Sequence, residues 1–255
     1  MSIYLDTALE IAREAGEIIK THFSLNMNTD WKPDGTPVTA ADLAINSLVI
    51  MRINSVFPDH SILGEEESAS TESQYVWVCD PIDGTIPFSS GVPICAFSLA
   101  LVKDGESILG VAFDPFMSRL VWAEKGKGAF LNGEKIDVNQ NSTLPNSVIS
   151  VDTANSAYKN LSHFRQQLLD ENVLILGLNS SVYCCILVAV GQFSAHIYSF
   201  THPWDGAAVK CIVEEAGGKV TDLHGDDNQD WSGKIKGYIA SNGLVHDQLV
   251  DLINQ

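Results

Sequence analysis

The sequence predicts a mixed α/β (α+β) fold in two closely packed halves, residues 1–145 and 146–255, on three observations of pattern. Apolar residues recur at helical spacing in the two segments that precede Pro58. From 75 to about 138 the pattern becomes short strands, reversed at Asp104-Gly105, Asp114-Pro115 and Asn132-Gly133 as in an antiparallel meander. Beyond Val148 strand and helix patterns take turns. A chain of 255 residues, 45% of them apolar, can bury a large core, and with no repeat, low-complexity tract or linker the halves are expected to form one structural unit.

Residues 3–23 set Ala8, Leu9, Ala12, Ala15, Ile18 and Ile19 on one face, the stripe of a helix packed on a core. A loop of turn formers follows at 30–37. The next helix is expected to start near Thr39, with Asp42 as the N3 acid of a capping box, to run through Leu43, Leu48, Val49, Met51 and Ile53 to about Phe57, and to stop before Pro58. The acidic run Gly64-Glu65-Glu66-Glu67 then leads to the meander. In the second half, strands are expected near 148–151, 173–176, 193–198 and 238–240, and helices near 161–170, 181–190 and 244–253. A further helix starts at Pro203-Trp204-Asp205, where Asp205 can serve as an N-cap or first-turn acid, and stops at Gly217-Gly218.

The charge balance excludes several classes of partner. With 15 basic against 32 acidic side chains the net charge is -17, which repels phosphate backbones and anionic lipid, so nucleic acid is not expected. The longest apolar runs, 94–102 and 182–190, are about half the ~18 residues of a membrane span, so none is expected. The first residues carry acids at helical spacing, unlike a secretion signal. Cys79, Cys95, Cys184, Cys185 and Cys211 are odd in number and lack C-x-x-C spacing, so they are read as reduced thiols of a cytoplasmic protein.

The stretch Cys79-Asp80-Pro81-Ile82-Asp83-Gly84-Thr85 carries most of the chemical information. Asp-Pro and Asp-Gly are ordinary turn dipeptides. Here, however, a strand leads in, Thr85 can cap a following helix and Pro87 fits its first turn. Such a corner offers the N–H groups of Gly84 and Thr85 to an anion, whereas Asp80 and Asp83 repel one unless divalent cations lie between them. Hard oxygen donors of this kind suit Mg²⁺. Glu65, Glu66 and Glu67 form a solvated turn by default and matter chemically only where they meet Asp80. The acidic segment 222–230 misses the EF-hand positions and is expected to be an exposed loop. Neither H-E-x-x-H nor G-x-S-x-G occurs.

Four segments together resemble the inositol monophosphatase superfamily over nearly the whole chain: KPDGTPVTAAD at 32–42, GEEE at 64–67, DPIDGT at 80–85, and PWDGAA at 203–208 with EAGG at 215–218. The resemblance implies a layered α-β-α-β-α sandwich, usually a homodimer, that hydrolyses small phosphorylated metabolites with Mg²⁺ and is often inhibited by Li⁺. It assigns Glu65, Asp80 and the carbonyl of Ile82 to one metal, and Asp80, Asp83 and Asp205 to a second, with Glu65 also near a weaker third. It gives the phosphate to the N–H groups of Gly84 and Thr85, and the attacking water to Thr85 and Asp42, assisted by Glu65 and Glu66. Asp83→Asn is accordingly expected to abolish turnover and leave the fold intact. Tyr198 stands seven residues before Asp205, where inositol enzymes carry an acid on a ring hydroxyl, and is the expected specificity position. A myo-inositol phosphate is the first expected substrate. The alternatives are histidinol phosphate, 3'-phosphoadenosine 5'-phosphate and fructose 1,6-bisphosphate, and, in another class, a partner-binding regulatory role.

Overall fold

Residues 2–25, 29–33, 35–152 and 159–255 are described in the computed structural model, so Asp34 of the expected loop 30–37 lies outside the described residues. Ser2 caps α1 (Ile3–His22), its hydroxyl accepting the Leu5 N–H at 3.2 Å. The helix buries Leu5, Ala8, Ile11, Ala12, Ala15 and Ile19, with Ile18 at the half-buried edge of the expected stripe. A short antiparallel pair, β1 (Asp30–Trp31) and β2 (Pro37–Val38), leads to α2 (Ala40–Val56). At its start the N–H and hydroxyl of Thr39 both reach Asp42 Oδ2, at 2.8 and 2.5 Å, the carboxylate half of the expected capping box. Leu43 and Met51 of this helix are exposed. The inward stripe of α2 is Ala41, Ile45, Val49 and Ile53, repeating every fourth residue, and the remaining apolar residues spread round the helix.

Seven strands follow in one sheet whose spatial order is also the chain order: β3 (Ser61–Gly64), β4 (Tyr75–Asp83), β5 (Ala96–Lys103), β6 (Glu106–Asp114), β7 (Arg119–Glu124), β8 (Ala129–Leu131) and β9 (Glu134–Ile136). From β4 onward every pairing is antiparallel, the expected meander. The short β3, too brief to show periodicity in the sequence, pairs parallel to β4. The helix α3 (Thr85–Ser89) interrupts the run between β4 and β5.

The second sheet has the order β11-β10-β12-β14-β13. Its members are β10 (Val148–Val151), β11 (Leu174–Ile175), β12 (Ala195–Tyr198), β13 (Lys219–Thr221) and β14 (Tyr238–Ser241). The connecting helices are α4 (Ser162–Asp170), α5 (Ser181–Ala189), α6 (Ala207–Glu215) and α7 (His246–Ile253). β10 runs parallel to β11 and β12, whereas β14 is antiparallel to both its neighbours. The helix expected from Pro203 is divided: a 3₁₀ turn spans Pro203–Asp205 and α6 begins after Gly206. In the loop at 222–230 Asp222 is buried, accepting the N–H groups of His224 and Asp226.

Five layers result, α1 and α2, the seven-stranded sheet, α5 and α6, the five-stranded sheet, then α4 and α7. The strand β5 shows how the sequence builds them. Phe97, Leu99 and Leu101 fill the core under α1 and α2, and the alternate residues Ala96, Ala100 and Val102 face α5 and α6. Buried on both faces, the strand reads as an unbroken apolar run. Small residues on the inner face let α6 approach closely, most of all at Gly110. A Cβ added there would lie 2.4 Å from the Ala208 carbonyl oxygen, a backbone atom. Gly110→Ala is therefore expected to destabilise the protein by about 1–3 kcal/mol, read as a lower urea midpoint; an unchanged midpoint would contradict this packing.

Candidate active site

The nine-residue β4 ends in an irregular register: Asp80 pairs with Ser98, but Asp83 pairs with Ala96. Pro81 has no N–H for the ladder, and the Ile82 N–H turns to Asp80 Oδ1 at 3.0 Å. The chain then reverses at Gly84, which has φ 92 and is the N-cap of α3. Thr85, expected as the cap, is the first residue of the helix instead, because only glycine fits here without strain. A Cβ on Gly84 would also meet Ser180 Cβ at 2.8 Å and the Ile94 carbonyl at 3.0 Å. The Thr85 hydroxyl donates to the Ile82 carbonyl at 3.0 Å.

Parallel pairing of β3 with β4 sets Gly64 opposite Cys79, and the Glu65 N–H bonds the Cys79 carbonyl at 3.2 Å, so the acidic turn lies beside Asp80. Lys32 reaches over it with Nζ 2.8 Å from Glu65 Oε1 and 2.5 Å from Glu66 Oε1. Burial opposes the lysine's charge, but the two glutamates outweigh it and raise its pKa. The 3₁₀ turn brings Asp205 in from the other side. Tyr238 OH donates to the Asp205 carbonyl at 2.9 Å, and Ser98 Oγ to the Trp204 carbonyl at 3.1 Å. Oxygens of Asp80, Asp83 and Asp205 then lie within 4.8 Å of one another.

Asp83 has a second attachment that the sequence did not show. Its carboxylate accepts the Ser180 hydroxyl and the N–H groups of Ser181, Val182 and Tyr183, at 3.0, 2.8 and 3.3 Å, and so caps α5 from another part of the chain. Burial pushes the pKa of Asp83 up, against these donors. Burial first, then Glu65, Asp205 and Asp83, pushes Asp80 well up, and burial with Asp83 does the same to Asp205. Asp42 is raised to about 6, by burial first and by Glu65 and Glu66 also. Its Oδ2 is held by Thr39, and its Oδ1 is buried with no hydrogen bond among the described residues.

One cavity of about 410 Å³ is lined by Glu65, Asp80, Ile82, Asp83, Gly84, Thr85, Tyr198 and Asp205, eight of the ten residues singled out from the sequence. Glu66 stands behind on Lys32, and Asp42 is buried under Thr39. Tyr198 is turned away from an incoming ring: its hydroxyl donates to Asp205 Oδ2 at 2.5 Å. Lys32, Asp152, Asn179, Phe200, His202 and Trp204 also line the cavity and had no assigned role. For Asp152 a signal existed, an acid directly after a predicted strand, the end at which α/β sheets place their ligands.

The donor set fits divalent metal. Two buried carboxylates, Asp80 and Asp83, and the half-buried Asp205 converge with no lysine or arginine within ion-pair distance among the described residues, and oxygen ligands of that kind and number suit a hard divalent cation.

A layered sandwich that converges buried carboxylates on a helix corner is the architecture of a metal-dependent phosphatase, and comparison with known proteins agrees. The model of the inositol monophosphatase family matches residues 2–255. A fructose-1,6-bisphosphatase/inositol-1-monophosphatase of Thermotoga maritima is 34% identical over 98% of this chain and 96% of its own. A histidinol-phosphatase of Mycobacterium tuberculosis is 34% identical over 97% of this chain and 96% of its own. Among solved structures, the extragenic suppressor protein suhB of Bartonella henselae superposes with a TM-score of 0.91 at 26% identity, covering 100% of this chain and 99% of that one. The chain belongs to the inositol monophosphatase family, and it is a phosphoric monoester hydrolase of small phosphorylated metabolites.

Raised carboxylate pKa values mean that the folded state holds protons more tightly than the unfolded one. The acid cluster therefore costs stability increasingly as pH rises above the ordinary carboxylate range, and protonation relieves it. In metal-free protein Asp80→Asn is expected to raise stability over wild type at pH 8 by more than about 1 kcal/mol, and by less at pH 5. Urea midpoints at the two pH values check this; a variant less stable at pH 8 would refute it.

Proposed function

We propose that the chain hydrolyses a small phosphate monoester with Mg²⁺ held by Glu65, Asp80 and the Ile82 carbonyl, and by Asp80, Asp83 and Asp205. The convergence of three carboxylates, two of them buried, beside the Gly84–Thr85 corner carries this reading. The Ile82 carbonyl, already accepting Thr85, keeps a second lone pair for a cation. When bound, Mg²⁺ supplies positive charge that acidifies an attacking water and stabilises the leaving alkoxide.

The remaining steps belong to the chain's own residues. The N–H groups of Gly84 and Thr85, which have no acceptor within the first turn of α3, bind the phosphate. Thr85, in the cavity wall, orients the attacking water, and Asp42, buried behind that wall, is the base that the family motif assigns to it. A pKa of about 6 suits a base working near neutral pH. Glu65 and Glu66, held in place by Lys32, assist. Tyr198 acts on specificity through Asp205, whose orientation its hydroxyl fixes.

Asp83→Asn is a poorer test than the sequence suggests, because an amide would turn its own N–H₂ toward the donors at the start of α5. Inhibition by Li⁺ belongs to the same reading and rests on family membership. A homodimer is supported by the exposed Leu174 and Leu176 in and just after the edge strand β11, with the exposed Leu169 at the end of α4. Cytoplasmic location is supported by five buried free thiols, and no described helix is long and apolar enough to cross a membrane. What supports reading 1–145 and 146–255 as two halves of one unit is that each contains a whole sheet and α5 and α6 pack between them.

Phosphate release from small monoesters should require Mg²⁺ and stop with a chelator. Thr85→Ala and Asp42→Asn should each lower kcat by about 10²–10⁴-fold with the fold retained by circular dichroism. Substantial turnover in either well-folded variant would remove it from the mechanism.

A further inference from the structure

Asp152 is a carboxylate of the cavity with no part in the arrangement above. It follows β10 directly, its N–H donating to the Ile197 carbonyl at 3.1 Å and its Oδ2 accepting the Ser199 N–H at 2.8 Å, so the backbone of the neighbouring strand fixes it. The side chain is only 12% exposed, and what it shows lies in the cavity shared with Asp205 and Tyr198. It is outside the group of carboxylates whose oxygens converge. Among the described residues the one basic side chain within ion-pair distance is His196, with Nε2 at 4.0 Å, and burial holds that imidazole neutral by lowering its pKa to about 3. Burial pushes the pKa of Asp152 up to about 7 even though Arg165 favours the ionised form from beyond ion-pair distance, and among the described residues the carboxylate has no close counter-ion.

The phosphate end of the cavity is taken up by Glu65, Asp80, Asp83, Gly84 and Thr85. The alcohol of the ester is left with Asp152 and the rings of Phe200, His202 and Trp204, of which His202 and Trp204 stack at 4.9 Å. Tyr198, at the position where an acid was expected, is committed to Asp205. A carboxylate beside aromatic faces is the chemistry that takes an organic cation, and it repels a second phosphate. We propose that Asp152 receives a cationic group on the alcohol portion of the ester, so that the preferred substrates are phosphate monoesters of amino alcohols rather than of neutral polyols or of sugars with a second phosphate. This rests on the phosphatase reading given above.

Mg²⁺-loaded wild type, Asp152→Asn and Asp152→Glu are compared on histidinol phosphate, inositol 1-phosphate and fructose 1,6-bisphosphate, with calorimetric binding of the free amino alcohol histidinol alongside. Wild type should show its highest kcat/KM on histidinol phosphate. Asp152→Asn should lower that value, and the affinity for histidinol, by about 30-fold or more, with a fall at least about tenfold smaller on inositol 1-phosphate. Asp152→Glu, which keeps the charge, should recover part of the loss. An equal fall on all three esters, a wild-type preference for either other ester, or histidinol affinity indifferent to Asp152 would overturn the proposal. Histidinol binding that depends on Asp152, with no turnover of any ester, would uphold the cation site and refute the phosphatase reading instead.

Discussion

The carboxylate of Asp83 is held by the N-terminus of α5 while it belongs to a buried cluster of like charge. Its four donors come from Ser180, Ser181, Val182 and Tyr183, and Ser180 is 97 residues further along the chain. They favour the ionised form, and burial opposes it more strongly. The end of β4, the start of α5 and, through Ser98 and Trp204, the turn carrying Asp205 are thereby tied to one point. The acid cluster is thus a consequence of how the middle helical layer seats on the first sheet. A shift of α5 or α6 would move a ligand as surely as replacing one.

Such a cluster works against the fold in the absence of cations. Asp80 is buried and Asp205 half-buried, and burial first, then the charges of Glu65 and Asp83, pushes both toward protonation. Lys32 relieves only Glu65 and Glu66. The molecule keeps an arrangement that costs it stability because the same repulsion makes a strong site for divalent metal, the usual exchange between stability and function at an active site. The surrounding structure compensates with close packing, as at Gly110 against the Ala208 carbonyl.

Features set by local rules were legible in the sequence. The stripe of α1, the reach of Thr39 to Asp42 and the turns of the meander depend on neighbours a few residues away. The motif spacing identified the family, and with it most of the cavity lining. What stayed hidden depends on residues distant in sequence. Asp83 as a cap for α5, Tyr198 bonded to Asp205 and Asp152 backed by Ser199 cannot be read from periodicity. Gly84 displaced Thr85 as the cap because a positive φ and the nearby Ser180 leave no room for a side chain. The strands β3 and β13 were missed for a simpler reason, their brevity.

The central claim is that Asp80, shared between two sets of oxygen donors, organises a pair of divalent cations. Electron paramagnetic resonance of the protein loaded with Mn²⁺ in place of Mg²⁺ tests it most directly. The account predicts a spin-coupled pair of Mn²⁺ ions in wild type, with the coupling lost in Asp80→Asn. Uncoupled Mn²⁺, or coupling that survives the loss of the Asp80 carboxylate, would contradict it.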